Sequence, residues 1–199
     1  EEKISHIPVL RFGEAYRSLD TNDLGNVLKS GARLEVSVAN AGIIRRDKLS
    51  IEKGREALRA IPADTLFDYA EKAADLYLDA ELPFGMDGEK QSVADYVTAL
   101  SELTGLPHSL CRSNMFKVAA ALTNIRAVIA GLTRGLPPEL FDKGCARLGD
   151  IDINFYPIAD SLGVTLPSNS PGVNSLWLPA LVMKTPVFLK PGREDPLTP

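Results

Sequence analysis

The sequence predicts an α/β protein, in which a mainly helical N-terminal region leads into the first strand–helix–strand unit of a parallel sheet. Three observations predict it. Apolar residues recur at helical spacing from about residue 49 to 134. The period changes after residue 150, where "DIDINFYPIADSLGVTL" alternates and is rich in β-branched and aromatic residues. Two short apolar runs, 162–166 and 187–189, flank a helical stretch, and strand, helix, strand is the order that builds parallel sheets through a right-handed crossover. Residues 1–149 are therefore assigned to a helical region with an irregular arm. Residues 150–199 are assigned to a strand segment and the start of a sheet domain.

The elements follow in order. The first 35 or so residues mix Ile7, Val9 and Leu10 with the turn residues Asp20, Asn22, Gly25 and Gly31, and predict an irregular or short-stranded arm. Pro62 suits a first helical turn, and Leu66, Phe67, Ala70, Ala73, Ala74, Tyr77 and Leu78 form the stripe behind it. "LPFGMDGEK" is expected as a loop. Ser92 with Asp95 predicts a helix start, and Val93, Tyr96, Val97, Leu100 and Leu103 form a stripe closed by Gly105 and Pro107. Met115, Val118, Ala119, Leu122, Ile125, Val128, Ile129 and Leu132 make the most continuous apolar face, ending at Gly135. After the turn "PSNSPG" a helix is expected from about Asn174 to Met183. The closing strand has Pro186 at its first position, where a missing N–H is tolerated.

Composition narrows the function. A net charge of −4 argues against nucleic acid or an anionic membrane surface as the main partner. No apolar run is long enough to span a bilayer, the best one being cut by Arg126 and Arg134. Two cysteines make no disulfide framework, so a cytoplasmic setting is expected. His6 and His108 have no ligand-spaced partner, and no metal site is expected. Cys145 lies between Lys143 and Arg147, a setting that favours a thiolate, yet both it and Cys111 are read as structural or incidental. Asp150 and Asp152 are read as solvated on one strand face.

The chemistry gathers at the C-terminal end. Strands of a parallel unit end on one edge, and ligands bind beyond that edge. The turn after the first strand carries Asn169, and the turn after the second carries Lys190 and Arg193. The unit therefore brings a carboxamide and two cations to one rim, with the N–H groups and dipole of the helix start near Asn174 beside them. No Gly-x-Gly pair and no phosphate loop of the Walker type occurs in the chain.

These residues carry a resemblance. Pro167-Ser168-Asn169-Ser170-Pro171, then Pro179-Ala180-Leu181, Lys190-Pro191 and Pro196-Leu197-Thr198 resemble, in order, the motifs of the aldehyde dehydrogenase superfamily. The match covers the last sixth of the chain, and it looks closer to the acyl-CoA reductases than to typical aldehyde oxidisers. The resemblance implies that Asn169 donates to the oxyanion formed when a thiolate attacks the carbonyl, and that Lys190 reaches the ribose hydroxyls. It implies also that Pro167 and Ser168 line the cofactor cleft. The family commonly has a glutamate three residues after the lysine; here that position is Arg193, which favours NADP over NAD, while Glu194 would restore a carboxylate after a one-residue shift. The helix after "PSNSP" is shorter than the family's.

The implied activity is interconversion of an aldehyde with an acid or acyl thioester through a cysteine thiohemiacetal. The family's cysteine, glutamate base and glycine turn do not occur before Pro199. The expectation is thus the N-terminal portion of such an enzyme, or a split protein, inactive alone and homo-oligomeric through segment 150–160. The alternative is a non-catalytic helical interaction module or partner subunit.

Overall fold

A computed structural model describes residues 3–199. The arm folds as β1 (Ile4–Ile7), β2 (Val9–Arg11), β3 (Glu14–Tyr16), β4 (Thr21–Asp23) and β5 (Arg33–Ser37). β5 lies between β1, which it pairs in parallel, and β4, which it pairs antiparallel; β2 and β3 form a hairpin. His6 is buried in this sheet, its Nε2 2.7 Å from Ser37 Oγ. Arg11 holds Asp47 with two guanidinium nitrogens, so the aspartate stays below its ordinary range.

The helical region contains α1 (Ala41–Leu49), α2 (Ile51–Arg59) and α3 (Ala63–Asp79). Asn40 caps α1 by accepting from the Ile43 N–H at 3.0 Å. Pro62 stands just outside α3 rather than in its first turn, with an extended ψ of 144°. The expected loop 81–90 is instead a hairpin, β6 (Leu82–Phe84) with β7 (Glu89–Gln91). Its pairing has a tertiary support that local sequence does not show: Lys3 and Ser5 both hold the Glu89 carboxylate.

α4 (Val93–Thr104) starts as expected. Ser92 Oγ accepts from the Asp95 N–H at 3.2 Å and donates to the Asp95 carboxylate at 2.6 Å. It ends at Gly105, whose φ of 72° is the left-handed conformation that glycine adopts without steric cost. The long apolar face divides into α5 (His108–Thr123) and α6 (Ile125–Leu132), which meet at an angle of 66° at Asn124. At this junction the Ala120 carbonyl accepts both from the Asn124 N–H at 3.0 Å and from Asn124 Nδ2 at 2.8 Å. No single helix among the described residues is long and apolar enough to cross a membrane.

α7 (Leu140–Lys143) leads into a hairpin of β8 (Cys145–Leu148) and β9 (Ile151–Asn154). The strand expected over 150–160 therefore occupies only its first part. Asp150 lies in the hairpin turn, off the strand that carries Asp152.

β10 (Leu162–Thr165) and β11 (Val187–Lys190) pair in parallel, Leu162 opposite Val187 and Thr165 opposite Lys190. Between them the expected helix is broken into a 3₁₀ turn, Pro171–Leu176, and a five-residue helix, α8 (Leu178–Val182). Pro171 and Pro179 lack N–H donors, and Asn174 bonds internally to the Pro171 carbonyl and the Trp177 indole. The extended helix start expected at Asn174 is therefore not formed.

The core ties this unit to the helices. Ala63, Leu66 and Phe67 of α3 pack with Ile125 and Ile129 of α6 and Val182 of α8. Burying a ring such as Phe67 contributes about 1.5–3 kcal/mol. Asp142 of α7 accepts from the Ala63 N–H at the start of α3 and pairs with the nearly buried Lys184 just after α8. The C-terminal end of the crossover is thus fastened to α3 and α7.

Candidate functional site

Because β10 and β11 run in parallel with Thr165 opposite Lys190, the turns that follow them leave the same edge. The ladder continues one step, the Leu166 N–H donating to the Lys190 carbonyl at 2.9 Å. Beyond it the two turns touch backbone to backbone. A Cβ on Gly192 would lie 2.6 Å from Pro167 C, Pro167 O and Ser168 Cα, so only glycine fits there. The Glu194 N–H donates to Ser168 Oγ at 3.3 Å, and the Ser168 hydroxyl also holds the Glu194 carboxyl below its ordinary range.

Along this rim Pro167, Asn169, Lys190 and Arg193 are exposed and Ser168 is half-buried. The structure brings all five predicted residues to one edge. Two cations and a carboxamide face solvent together, and Glu194, the nearby acid, is engaged with Ser168.

The residues after the second turn are anchored in the helical layer. Asp195 is buried, and its Oδ1 accepts from the Thr198 N–H at 3.2 Å and hydroxyl at 2.7 Å. Thr198 Oγ1 meets Tyr96 OH at 2.7 Å, and Tyr96 OH meets Tyr77 OH at 3.1 Å. Leu197 packs on the cluster of Tyr96, Val97, Leu100, Cys111 and Met115. Burial raises Asp195 and Tyr96 and pushes Tyr77 up to about 12. The phenols are thus neutral hydrogen-bonding groups. This chain fixes the rim's second turn to α3 and α4, and sequence reading gave no hint of it beyond the Pro-Leu-Thr motif.

A shallow cavity of about 220 Å³ adjoins the first turn, lined by Asn114, Lys117, Ser170, Gly172 and Ser175 among others. Asn114 and Lys117 of α5 were missed in the sequence. The signal was available: Asn114 is a carboxamide within the buried stripe of Cys111, Met115 and Val118. The two cysteines lie elsewhere, Cys111 buried with its thiol pushed up by burial and Cys145 exposed on β8. No group of three His, Cys, Asp or Glu among the described residues could hold a metal ion.

No family model and no curated protein sequence matches the chain. Solved structures do. Proline utilization A from Bdellovibrio bacteriovorus superposes with a TM-score of 0.68 at 14% identity, over 98% of this chain and 19% of that one. Betaine aldehyde dehydrogenase from Staphylococcus aureus, solved with NAD+, gives 0.58 at 19% identity, over 99% of this chain and 36% of that one. The chain has an aldehyde dehydrogenase fold. An NAD-dependent benzaldehyde dehydrogenase from Corynebacterium glutamicum shares that fold with a TM-score of 0.61 at 15% identity, over 95% of this chain and 38% of the other. The aldehyde dehydrogenase fold is thus represented here over about two fifths or less of those chains' lengths.

Proposed function

We propose that this chain forms the adenosine-side rim and the oxyanion donor of an NAD(P)-dependent aldehyde dehydrogenase or acyl-CoA reductase. The observation that carries this reading is the backbone contact of Gly192 with Pro167 and Ser168 at the shared edge of β10 and β11. That contact sets Asn169 and Lys190 on one rim, although 21 residues separate them in sequence.

The donor set fits a phosphorylated dinucleotide. A 2′-phosphate calls for cations, and Lys190 and Arg193 are both exposed there. A pair of free ribose hydroxyls calls for a carboxylate acceptor, and Glu194 is drawn toward Ser168. NADP is therefore the favoured form. When bound, the nicotinamide accepts a hydride from the substrate carbon. The chain's own residues bind and orient: Lys190 and Arg193 hold the adenosine side, Pro167 and Ser168 wall the cleft, and Asn169 offers its amide N–H to the carbonyl oxygen as charge develops on it. With Cys111 buried and Cys145 on a separate hairpin, the thiolate that forms the thiohemiacetal is assigned to sequence outside this chain. The β8–β9 hairpin and its following loop expose Leu148, Ile151, Phe155, Tyr156 and Ile158, which supports a homo-oligomer.

Nucleotide titration of the full protein tests the reading. A charge-assisted contact contributes about 1.5–3 kcal/mol, so Lys190→Ala with Arg193→Ala should weaken NADP binding by tenfold or more. Arg193→Glu should reverse the preference toward NAD. Unchanged affinity for both nucleotides in both variants would remove the cofactor assignment. Asn169→Ala should lower kcat by about 10²–10³ with nucleotide affinity intact.

A further inference from the structure

The cavity beside the first turn holds groups that the reading above leaves unused. Asn114 is only 5% exposed, yet its carboxamide takes part in no hydrogen bond with another described residue, and it lines the cavity. Its polar atoms reach solvent only through the cavity, so this amide is placed to meet something that enters. Lys117 is one helical turn further along the same face of α5, exposed and in no ion pair with another described residue. Ser170 contributes a third polar group, a hydroxyl, from the turn itself, and no carboxylate lines the cavity.

Gly172 keeps the space open. A Cβ there would stand 2.7 Å from Asn114 Oδ1 and 3.2 Å from Lys117 Cδ. Any side chain at 172 would press into the two groups that face the cavity. A carboxamide, an ammonium and a hydroxyl around an otherwise small space suit a planar anion with several acceptor lone pairs.

The cavity also has a defined position relative to the reaction. Ser170 directly follows Asn169, and consecutive Cα atoms are about 3.8 Å apart. A substrate whose carbonyl meets Asn169 would extend its far end into the cavity after only a few methylenes. At about 220 Å³ the space is below the roughly 300–1,000 Å³ of sites for larger ligands, so the chain must be short.

We infer that Asn114 and Lys117 select a short aliphatic aldehyde bearing a terminal carboxylate, the semialdehyde of a dicarboxylic acid. This rests on the aldehyde dehydrogenase reading for the position of the carbonyl, but the anion site itself stands on its own geometry.

Two measurements on the full protein separate the two. The first is the ratio of kcat/KM for glutarate semialdehyde to that for hexanal, with NADP. The ratio should exceed about tenfold, and Lys117→Met, which keeps the apolar stem and removes the charge, should bring it near one. A wild-type ratio near one, or a ratio unmoved by Lys117→Met, overturns the inference. The second is direct binding of glutarate against pentanediol, which needs no turnover. Glutarate should bind at least about tenfold more tightly, and Lys117→Met and Gly172→Ala should each abolish the difference. If neither aldehyde is oxidised but glutarate still binds in this pattern, the dehydrogenase reading fails and the anion site stands. If glutarate binds no better than the diol, the anion site fails whatever the enzyme does.

Discussion

Gly192→Ala isolates the contact on which the rim depends. The φ of Gly192 lies outside the left-handed range, so alanine there adds no backbone strain, and the whole effect is one of space. The new methyl carbon would sit 2.6 Å from three backbone atoms of Pro167 and Ser168, whereas ordinary contact begins at 3.4 Å. The two turns must therefore separate by about 0.8 Å, and backbone on both sides leaves no flexible side chain to yield. Overpacking of this kind costs about 1–3 kcal/mol. The Glu194 N–H bond to Ser168 Oγ, already 3.3 Å, would stretch out of range and remove about 1 kcal/mol more. For the site, a displacement near 1 Å costs up to about 10²-fold in a positioned interaction, so NADP affinity should fall by tenfold or more. Gly163→Ala is the matched control, because a Cβ on that neighbouring strand meets nothing within 4 Å and should change stability by less than about 0.5 kcal/mol. Urea unfolding and nucleotide titration of the two variants decide the matter. If the alanine at 192 unfolds at the same urea concentration as the control and binds NADP as wild type does, the turns do not touch and the rim is not formed as described.

Three further outcomes are expected. Burial raises Asp195 above its unfolded value, so its contribution to stability is full below that ordinary value and is lost as pH rises through the raised one; Asp195→Asn should remove that part of the decline in a series of urea melts across mildly acidic pH. Arg126 bonds Asp64, Asp68 and Glu71 and lies 4.8 Å over the Phe67 ring, so Arg126→Met should cost about 0.5–1 kcal/mol at low salt and less in concentrated salt, a difference that paired melts would resolve. A thiol reagent added to the native protein should modify the exposed Cys145 quickly and reach Cys111 only on unfolding, as mass spectrometry of the labelled peptides would show.

Features governed by near neighbours in sequence were legible. Ser92 with Asp95 and Gly105 bounded α4 because a cap and a left-handed residue need only a few adjacent atoms. The five rim residues could be assembled on one edge because a parallel crossover dictates where its strands end. Other features needed partners far along the chain. The β6–β7 hairpin is held through Glu89 by Lys3 and Ser5, so "LPFGMDGEK" gave no sign of pairing. The helix after the first turn was overextended because stripe reading ignores what two prolines and the internal bonds of Asn174 do to backbone donors.

By itself, the sequence determined the class of fold, the crossover unit and the identities of the groups at its rim, because periodicity and turn chemistry are written locally. Only the tertiary structure decided that Gly192 lies against Pro167, that Thr198 and Asp195 tie the rim to Tyr96, and that Asn114 opens onto a cavity at Ser170 rather than into the core. Each of these is a contact between segments far apart in the chain, and its geometry depends on how whole elements pack, which no local pattern encodes.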